Sequence, residues 1–121
     1  MIHLDTNIFI YFANGILNPT IVGTHELGHS SIVAIELLGY YNISPLEEKA
    51  ITTGLMRSKE ITLSPSIIER AISVRQTRRI SLGDAVVAAS ALEYGAELWT
   101  ANARDFQDIE GLKVYNPLQN P

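Results

Sequence analysis

Short apolar runs and longer amphipathic stretches alternate along the chain. The opening run, MIHLD, predicts a buried strand from Met1 to Asp5, and the apolar run NIFIYFA predicts a helix from Asn7 to Ala13. Residues 15–30 are interrupted by Gly15, Pro19, Gly23 and Gly28, so we expect a loop that holds at most a short strand or a helical turn.

Serines mark the starts of four further helices. A serine hydroxyl can accept a hydrogen bond from the first free backbone amides, and a following proline suits the first helical turn. The alanine-rich segment ends where Gly95 supplies a stop signal. The predicted helices run from Ser30 or Ser31 to Tyr41, from Ser44 and Pro45 onwards, from Ser64 and Pro65 to about Arg79, and from Ser81 to Gly95.

Three more short strands are predicted, at Glu60–Leu63, Glu97–Thr100 and Leu112–Tyr115. Short strands that alternate with helices favour a parallel sheet covered on both faces. We therefore expect an α/β/α sandwich with a short, mostly parallel central sheet. A chain of 121 residues suits one such domain, spanning residues 1–121.

Composition narrows the classes of function. The chain has no cysteine, which excludes a disulfide scaffold, a thiolate metal site and a cysteine nucleophile. No apolar run approaches the roughly 20 residues of a membrane-spanning helix, and the opening residues do not resemble a signal segment. A cytoplasmic protein without a membrane partner is the expectation. The net charge of −4 argues against a broad basic surface that coats nucleic acid.

Two acids follow predicted strands directly. Asp5 ends the first strand, and Asp105 lies in the loop after Glu97–Thr100. In an open parallel sheet the carboxyl ends of the strands converge on one crevice, so these two side chains are expected to face each other. Asp84 lies in the first turn of the alanine-rich helix, and Glu36 lies in an apolar helical stretch, so neither stands on an obviously charged face.

An acid in an apolar setting is costly to bury unless a cation compensates it. Four carboxylates without histidine or cysteine favour Mg²⁺ or Mn²⁺ over zinc, because these hard ions prefer oxygen ligands. Hydrolysis of a phosphodiester is the reaction that such a site suits best. Each acid also has a structural explanation: Asp5 could cap a helix, Asp84 could form a capping box with Ser81, Asp105 could hold a turn, and Glu36 could be a solvated helix residue.

Four motifs together resemble those of PIN-domain ribonucleases, especially the small toxins of VapC type, from Met1 to about Tyr115. The resemblance gives the roles of the four acids to Asp5, Glu36, Asp84 and Asp105, and supporting polar roles to Thr6, Asn7, Thr100 and Asn102. The matching segments are Leu4-Asp5-Thr6-Asn7 with the following Ile8, Phe9 and Ile10, then Ser31 to Leu37, Ser81 to Glu93, and Thr100 to Phe106.

The resemblance implies Mg²⁺- or Mn²⁺-dependent endonucleolytic cleavage of RNA by a parallel-sheet sandwich. It also implies a small antitoxin partner, whose tail occupies the acidic groove, and a homodimer. Three arginines are candidate phosphate contacts on a local basic rim: Arg78, Arg79 and Arg104. The segment between Gly15 and Ser30 departs from the family pattern, because it is short and contains a His-Glu pair.

That pair belongs to a rival motif. His25-Glu26-Leu27-Gly28-His29 matches H-E-x-x-H, which on a helix would hold zinc in a metalloprotease. If the segment is a strand, the two histidines stand roughly 13 Å apart and cannot share an ion. The third alternative is a catalytically inactive PIN-like domain that binds RNA or protein, against which the retention of all four acids argues.

Overall fold

The computed structural model describes residues 1–119 and contains one five-stranded sheet. The strands are β1 (Ile2–Leu4), β2 (Leu27–Ser30), β3 (Lys59–Ile61), β4 (Glu97–Trp99) and β5 (Lys113–Tyr115). Their order is β3-β2-β1-β4-β5, and every neighbouring pair is parallel. The predicted parallel sheet is confirmed, and the loop of residues 15–30 contributes one of its inner strands.

Five α-helices connect these strands. They are α1 (Thr6–Ala13), α2 (Ser31–Leu38), α3 (Pro45–Leu55), α4 (Pro65–Thr77) and α5 (Leu82–Tyr94). Two short 3₁₀ helices, η1 (Pro19–Val22) and η2 (Ala103–Phe106), complete the elements of the described chain. Within residues 1–119, no helix is long and apolar enough to cross a bilayer.

The serine start signals are confirmed by hydrogen bonds. Ser44 accepts from the amide of Glu47 at 3.1 Å, and Glu47 Oε1 accepts from the amide of Ser44 at 3.2 Å, which is a complete capping box. Ser64 and Ser81 cap α4 and α5 in the same position, three residues before the amide that donates. Local chemistry therefore determines where these three helices begin.

Two predicted helix ends are wrong. α2 ends at Leu38 instead of Tyr41, because Gly39 already closes the last turn, its amide donating to the carbonyl of Ile35 at 2.8 Å. α4 ends at Thr77 instead of Arg79, because Arg78 has an extended backbone (φ −162°, ψ 161°). In both cases the sequence pattern alone would have extended the helix beyond the residue at which it ends.

The helices cover both faces of the sheet. The ring of His29 on β2 contacts Phe9 of α1 at 5.6 Å between centroids, whereas the ring of His3 on β1 contacts Tyr94 of α5 at 5.8 Å. On the first face α1 packs against α3, on the second α4 packs against α5, and α2 contacts helices of both groups. The predicted sandwich is confirmed, and its deepest helix is α5, in which residues 85–91 are all buried.

The chain reverses its direction of travel across the sheet between β1 and β4. From β1 the connections lead outwards to β2 and β3, whereas from β4 they lead to β5 on the opposite side. A crevice forms at such a switch point, outside the carboxyl ends of the strands. Residues that directly follow β1 and β4 are therefore the strongest candidates for a functional site.

Candidate active site at the switch point

Asp5 follows β1 and lies at the centre of the crevice. Its side chain is buried, with 5% of its surface exposed, and both oxygens accept hydrogen bonds. Oδ1 accepts from the amide of Thr6 at 2.8 Å, and Oδ2 accepts from the hydroxyl of Thr100 at 2.8 Å. Burial raises the pKa of Asp5, the charges of Glu36 and Asp105 raise it further, and the two hydrogen bonds oppose this rise.

Glu36 lies in α2 and is exposed, so its apolar sequence neighbours do not bury it. Its Oε1 accepts a hydrogen bond from the hydroxyl of Thr6 at 3.2 Å. Gly83, in the first turn of α5, approaches so closely that a Cβ atom there would lie 3.7 Å from the same oxygen. Glu36 is thus held between the start of α1 and the start of α5.

Asp84 lies in the first turn of α5 and is half-buried. Burial raises the pKa of its carboxyl, and the negative charge of Asp5 raises it as well, while a contact with Ser81 acts in the opposite direction. Asp105 adds a further, smaller repulsion. Asp84 therefore faces the other acids across the crevice instead of pairing with a cation.

Asp105 is exposed on η2, and the loop that leads to it is held by side chains from other elements. The amide of Ala101 donates to Asn7 Oδ1 at 3.0 Å, and the amide of Asn102 donates to the hydroxyl of Thr100 at 3.0 Å. Asn116, which follows β5, donates through Nδ2 to the carbonyl of Ala101 at 3.2 Å. Asn116 was not among the predicted site residues, although a polar residue directly after a short strand is a signal for a place in this crevice.

The structure brings the four predicted acids to one crevice, and none of them forms an ion pair within residues 1–119. Among the described residues the single ion pair is Arg70 Nε with Glu93 Oε2 at 2.7 Å, and it lies elsewhere. Within the same residues, no three acidic or histidine side chains already stand close enough to hold an ion. Like charges repel, so carboxylates that share a site lie apart until a cation screens them.

An all-oxygen donor set fits a hard divalent cation. Asp5 is the decisive observation, because a buried carboxylate with a raised pKa and no cationic partner lacks the compensation that buried charges require. Mg²⁺ and Mn²⁺ prefer oxygen ligands and retain several water molecules, so a few carboxylates suffice to hold them. The side chains of the crevice therefore fit such an ion.

A cleft of about 420 Å³ adjoins Asp84 and Asp105. It is lined by all three predicted phosphate contacts, namely Arg78, Arg79 and Arg104. Arg79 and Arg104 are exposed, whereas the guanidinium of Arg78 donates to backbone carbonyl oxygens. Two larger cavities, of about 660 and 670 Å³, lie along α4 and between α1, α2 and α3, and the second of these reaches Thr6 and Glu36.

The H-E-x-x-H segment is not a zinc site. The motif requires a helix, but residues 27–30 form β2. His29 is buried and its Nδ1 lies 2.8 Å from the hydroxyl of Ser58, while Nδ1 of His25 lies 3.0 Å from the carbonyl oxygen of Val22. The metalloprotease alternative is therefore wrong, because the two rings belong to different hydrogen-bonded environments.

Known proteins share both the sequence pattern and the fold. Residues 2–112 match the family described as PIN domain. A toxin–antitoxin complex from Klebsiella pneumoniae is similar at 28% identity, with a TM-score of 0.77 over 97% of this chain and 98% of that one. VapBC-1 from nontypeable Haemophilus influenzae is similar at 27% identity, with a TM-score of 0.79 over 96% and 98%.

A third structure agrees in fold. VapBC2 from Rickettsia felis, bound to a DNA fragment from its promoter, has 24% identity and a TM-score of 0.81 over 96% of this chain and 98% of that one. No functionally curated protein matched the chain. The sequence match and the structural matches thus indicate the same fold, and the acidic crevice lies at the switch point of its parallel sheet.

Proposed function

The chain belongs to the PIN domain family, and from this premise we propose that it is a metal-dependent endoribonuclease, the toxin of a toxin–antitoxin pair. The observation that supports the proposal is the convergence of Asp5, Glu36, Asp84 and Asp105 at the switch point, where none of the four forms an ion pair with another described residue. Structural roles alone do not account for it, because a helix cap or a turn does not require four facing acids.

The four acids would hold Mg²⁺ or Mn²⁺. When bound, such an ion would orient a water molecule and lower its pKa, stabilise the leaving oxygen and neutralise the phosphodiester. The chain's own residues supply the geometry: the amide of Thr6 and the hydroxyl of Thr100 fix both oxygens of Asp5, and Thr6 also fixes Glu36. Such supporting hydrogen bonds orient carboxylates toward a metal.

Arg79 and Arg104 are the proposed phosphate contacts. Both are exposed on the cleft that adjoins Asp84 and Asp105. A phosphodiester bound there would have its negative charge matched by guanidinium groups on one side and by the ion on the other. Arginines on one side and an ion on the other are compatible with the net charge of −4, because only the rim of the site needs positively charged residues.

The proposed partner is a small antitoxin whose tail occupies the acidic groove. The relatives from Klebsiella and Haemophilus, both above 25% identity, are a toxin–antitoxin complex and VapBC-1. The cavity of about 670 Å³ between α1, α2 and α3 has apolar walls that include Tyr40, Ile43 and Leu46. It leads to Thr6 and Glu36, at the edge of the acidic groove. A tail bound along it would cover one side of the acids.

The family resemblance also implies a homodimer and a cytoplasmic location, and we include both in the proposal. Residues 1–121 would act as one nuclease domain. Cytoplasmic RNA is the substrate class that this location offers. A second copy of the chain and the antitoxin are the two protein partners proposed.

Cleavage of a mixed RNA pool tests the proposed chemistry. Purified protein is incubated with Mg²⁺, Mn²⁺, Zn²⁺ or chelator, and products are resolved by length. We expect cleavage with Mg²⁺ or Mn²⁺ and its loss, by about 100-fold or more, in Asp5→Asn and Asp84→Asn, because each removes a charge that holds the ion at nearly constant volume. Asp108→Asn is the matched control, since Asp108 lies outside the crevice.

The outcomes separate the alternatives. Cleavage that persists in chelator, or that survives in both Asp→Asn variants, would contradict the assignment of the acids. Binding of RNA without cleavage under any ion, by a folded protein, would favour the inactive PIN-like binding domain.

A further inference from the structure

Arg78 lies where α4 ends, next to the segment that carries Asp105. The chain leaves α4 at Thr77, and the guanidinium of Arg78 reaches η2. Its Nη1 donates to the carbonyl oxygen of Gln107, and its Nη2 lies 3.4 Å from the carbonyl oxygen of Asp105. One side chain thus contacts the backbone on both sides of Phe106.

The carboxylate of Asp105 depends on its backbone for its position, because the hydrogen bonds from other residues hold the preceding loop, at residues 101 and 102. Within residues 1–119 its side chain accepts no hydrogen bond, and the N-cap residue of η2, Asn102, makes no side-chain cap. The core anchors η2 through Phe106, whose side chain is 1% exposed. Where Asp105 points therefore depends on how firmly the backbone of these few residues is fixed.

We infer that Arg78 is a positioning residue: it ties the carbonyls of Asp105 and Gln107 to the end of α4, and so holds the Asp105 carboxylate toward Asp5 and Asp84. The inference rests on the proposed function and deepens it. A metal site works only if its ligands are preorganised by a supporting shell. Here the support comes from another element, 27 residues earlier in the chain.

The geometry favours this role over direct phosphate contact. Both terminal nitrogens of Arg78 face carbonyl oxygens, and its Nε is buried without a partner among the described residues. A phosphate could bind this guanidinium only by displacing charge-assisted hydrogen bonds. The rigid planar fork of arginine presents one terminal nitrogen to each carbonyl, whereas the donors of lysine all lie on one nitrogen at the end of a flexible stem.

Hydrogen exchange in the metal-free protein tests the positioning directly. The amides of Asp105 and Gln107 donate within η2, at 2.9 and 3.3 Å, and so report on its order. We expect Arg78→Gln and Arg78→Lys to speed exchange over residues 103–107, about tenfold in the stronger case. Arg75→Gln is the matched control, because Arg75 lies on the same helix and is exposed.

Affinity for Mn²⁺, measured by calorimetry without RNA, tests the consequence for the site. We expect Arg78→Gln to weaken Mn²⁺ binding about tenfold, and to add little further loss when combined with Asp105→Asn. In cleavage assays kcat should fall more than KM rises. Arg79→Gln should instead raise KM in a salt-dependent way and leave Mn²⁺ affinity unchanged.

Three results would overturn the inference. Unchanged exchange in both Arg78 variants would show that Arg78 does not order η2. Faster exchange with unchanged Mn²⁺ affinity would show that this order does not serve the site. An effect on KM alone that Arg78→Lys restores would make Arg78 a phosphate contact. If the unaltered protein neither binds Mn²⁺ nor cleaves RNA, the proposed function fails, and exchange alone decides whether Arg78 anchors η2.

Discussion

The carboxylate of Asp5 serves two purposes at once. Oδ1 caps α1 through the amide of Thr6, as the structural explanation of this acid predicted. A cap alone would function as well near solvent, yet this carboxylate is buried and its second oxygen is held by Thr100. The additional burial has a cost in free energy that a cap does not need, and a bound cation would offset it.

Asp5→Asn is therefore expected to separate stability from activity. In chelator the variant should unfold at the same temperature as the unaltered protein or at a higher one, because it removes a buried charge. The Thr100 hydroxyl can rotate to accept from the new amide, and the amide of Thr6 keeps its acceptor. Differential scanning calorimetry with and without Mg²⁺ measures both states.

Addition of Mg²⁺ should stabilise the unaltered protein and leave Asp5→Asn unchanged, since ligand binding to the folded state raises its stability. Asp108→Asn should behave like the unaltered protein. A variant that melts well below the unaltered protein in chelator would mean that the charge of Asp5 is needed for the fold.

Sequence alone predicted the acids but not all of their supports. Asp5 and Asp105 were found by their places after strands, and Glu36 and Asp84 by family resemblance as well as by their apolar surroundings. Whether the predicted metal site binds an ion stays a prediction. Two contacts with the segment that carries Asp105 were missed, because each joins residues that are far apart in the sequence. Asn116 contacts Ala101, 15 positions away, and Arg78 contacts Asp105, 27 positions away.

At the scale of elements, β2 was the least predictable strand. Its sequence, Leu27 to Ser30, shows no alternation and contains no β-branched residue. Gly28 is needed for a reason that lies on another strand: a Cβ atom there would come within 2.8 Å of Cδ2 of His3 and 3.0 Å of Sδ of Met1. By contrast the serine caps of α3, α4 and α5 were predictable, because each acts within its own helix.

Gly28→Ala should destabilise the protein by about 1–3 kcal/mol, the usual range for overpacking a filled site. The added methyl group meets the buried ring of His3, which is 2% exposed and has little room to move. Urea denaturation followed by circular dichroism measures the change. Gly54→Ala is the control, since a Cβ atom there would lie 3.7 Å from Phe9 and the helix favours alanine by roughly 0.5–1 kcal/mol. Equal midpoints for both variants would contradict the contact.

The molecule as a whole holds two histidines buried on neighbouring strands. Burial lowers the pKa of His3 to about 4, helped by the N-terminal charge and by His29. Burial also lowers the pKa of His29, although Glu60 opposes this. A histidine with a lowered pKa binds fewer protons when folded than when unfolded, so acid favours the unfolded chain.

The free energy of unfolding should therefore be constant, as far as these histidines are concerned, above about pH 6.5 and should fall as the pH decreases below it. His29→Gln should reduce the slope of this fall, because glutamine does not titrate. Urea titrations at pH 7.5 and 5.5 measure the slope, and the exposed His25→Gln serves as the control. A slope that His29→Gln leaves unaltered would assign the acid sensitivity to other groups.

The hydrogen bond from Thr100 to Asp5 joins residues 95 positions apart. A ribosome adds about 5–20 residues per second, so about 5–19 s pass between the synthesis of the one residue and the other. During that interval the nascent chain has β1 without β4 and carries no assembled crevice. The proposed nuclease would therefore have no complete crevice, and no activity toward the message that encodes it, until residue 100 has been synthesised.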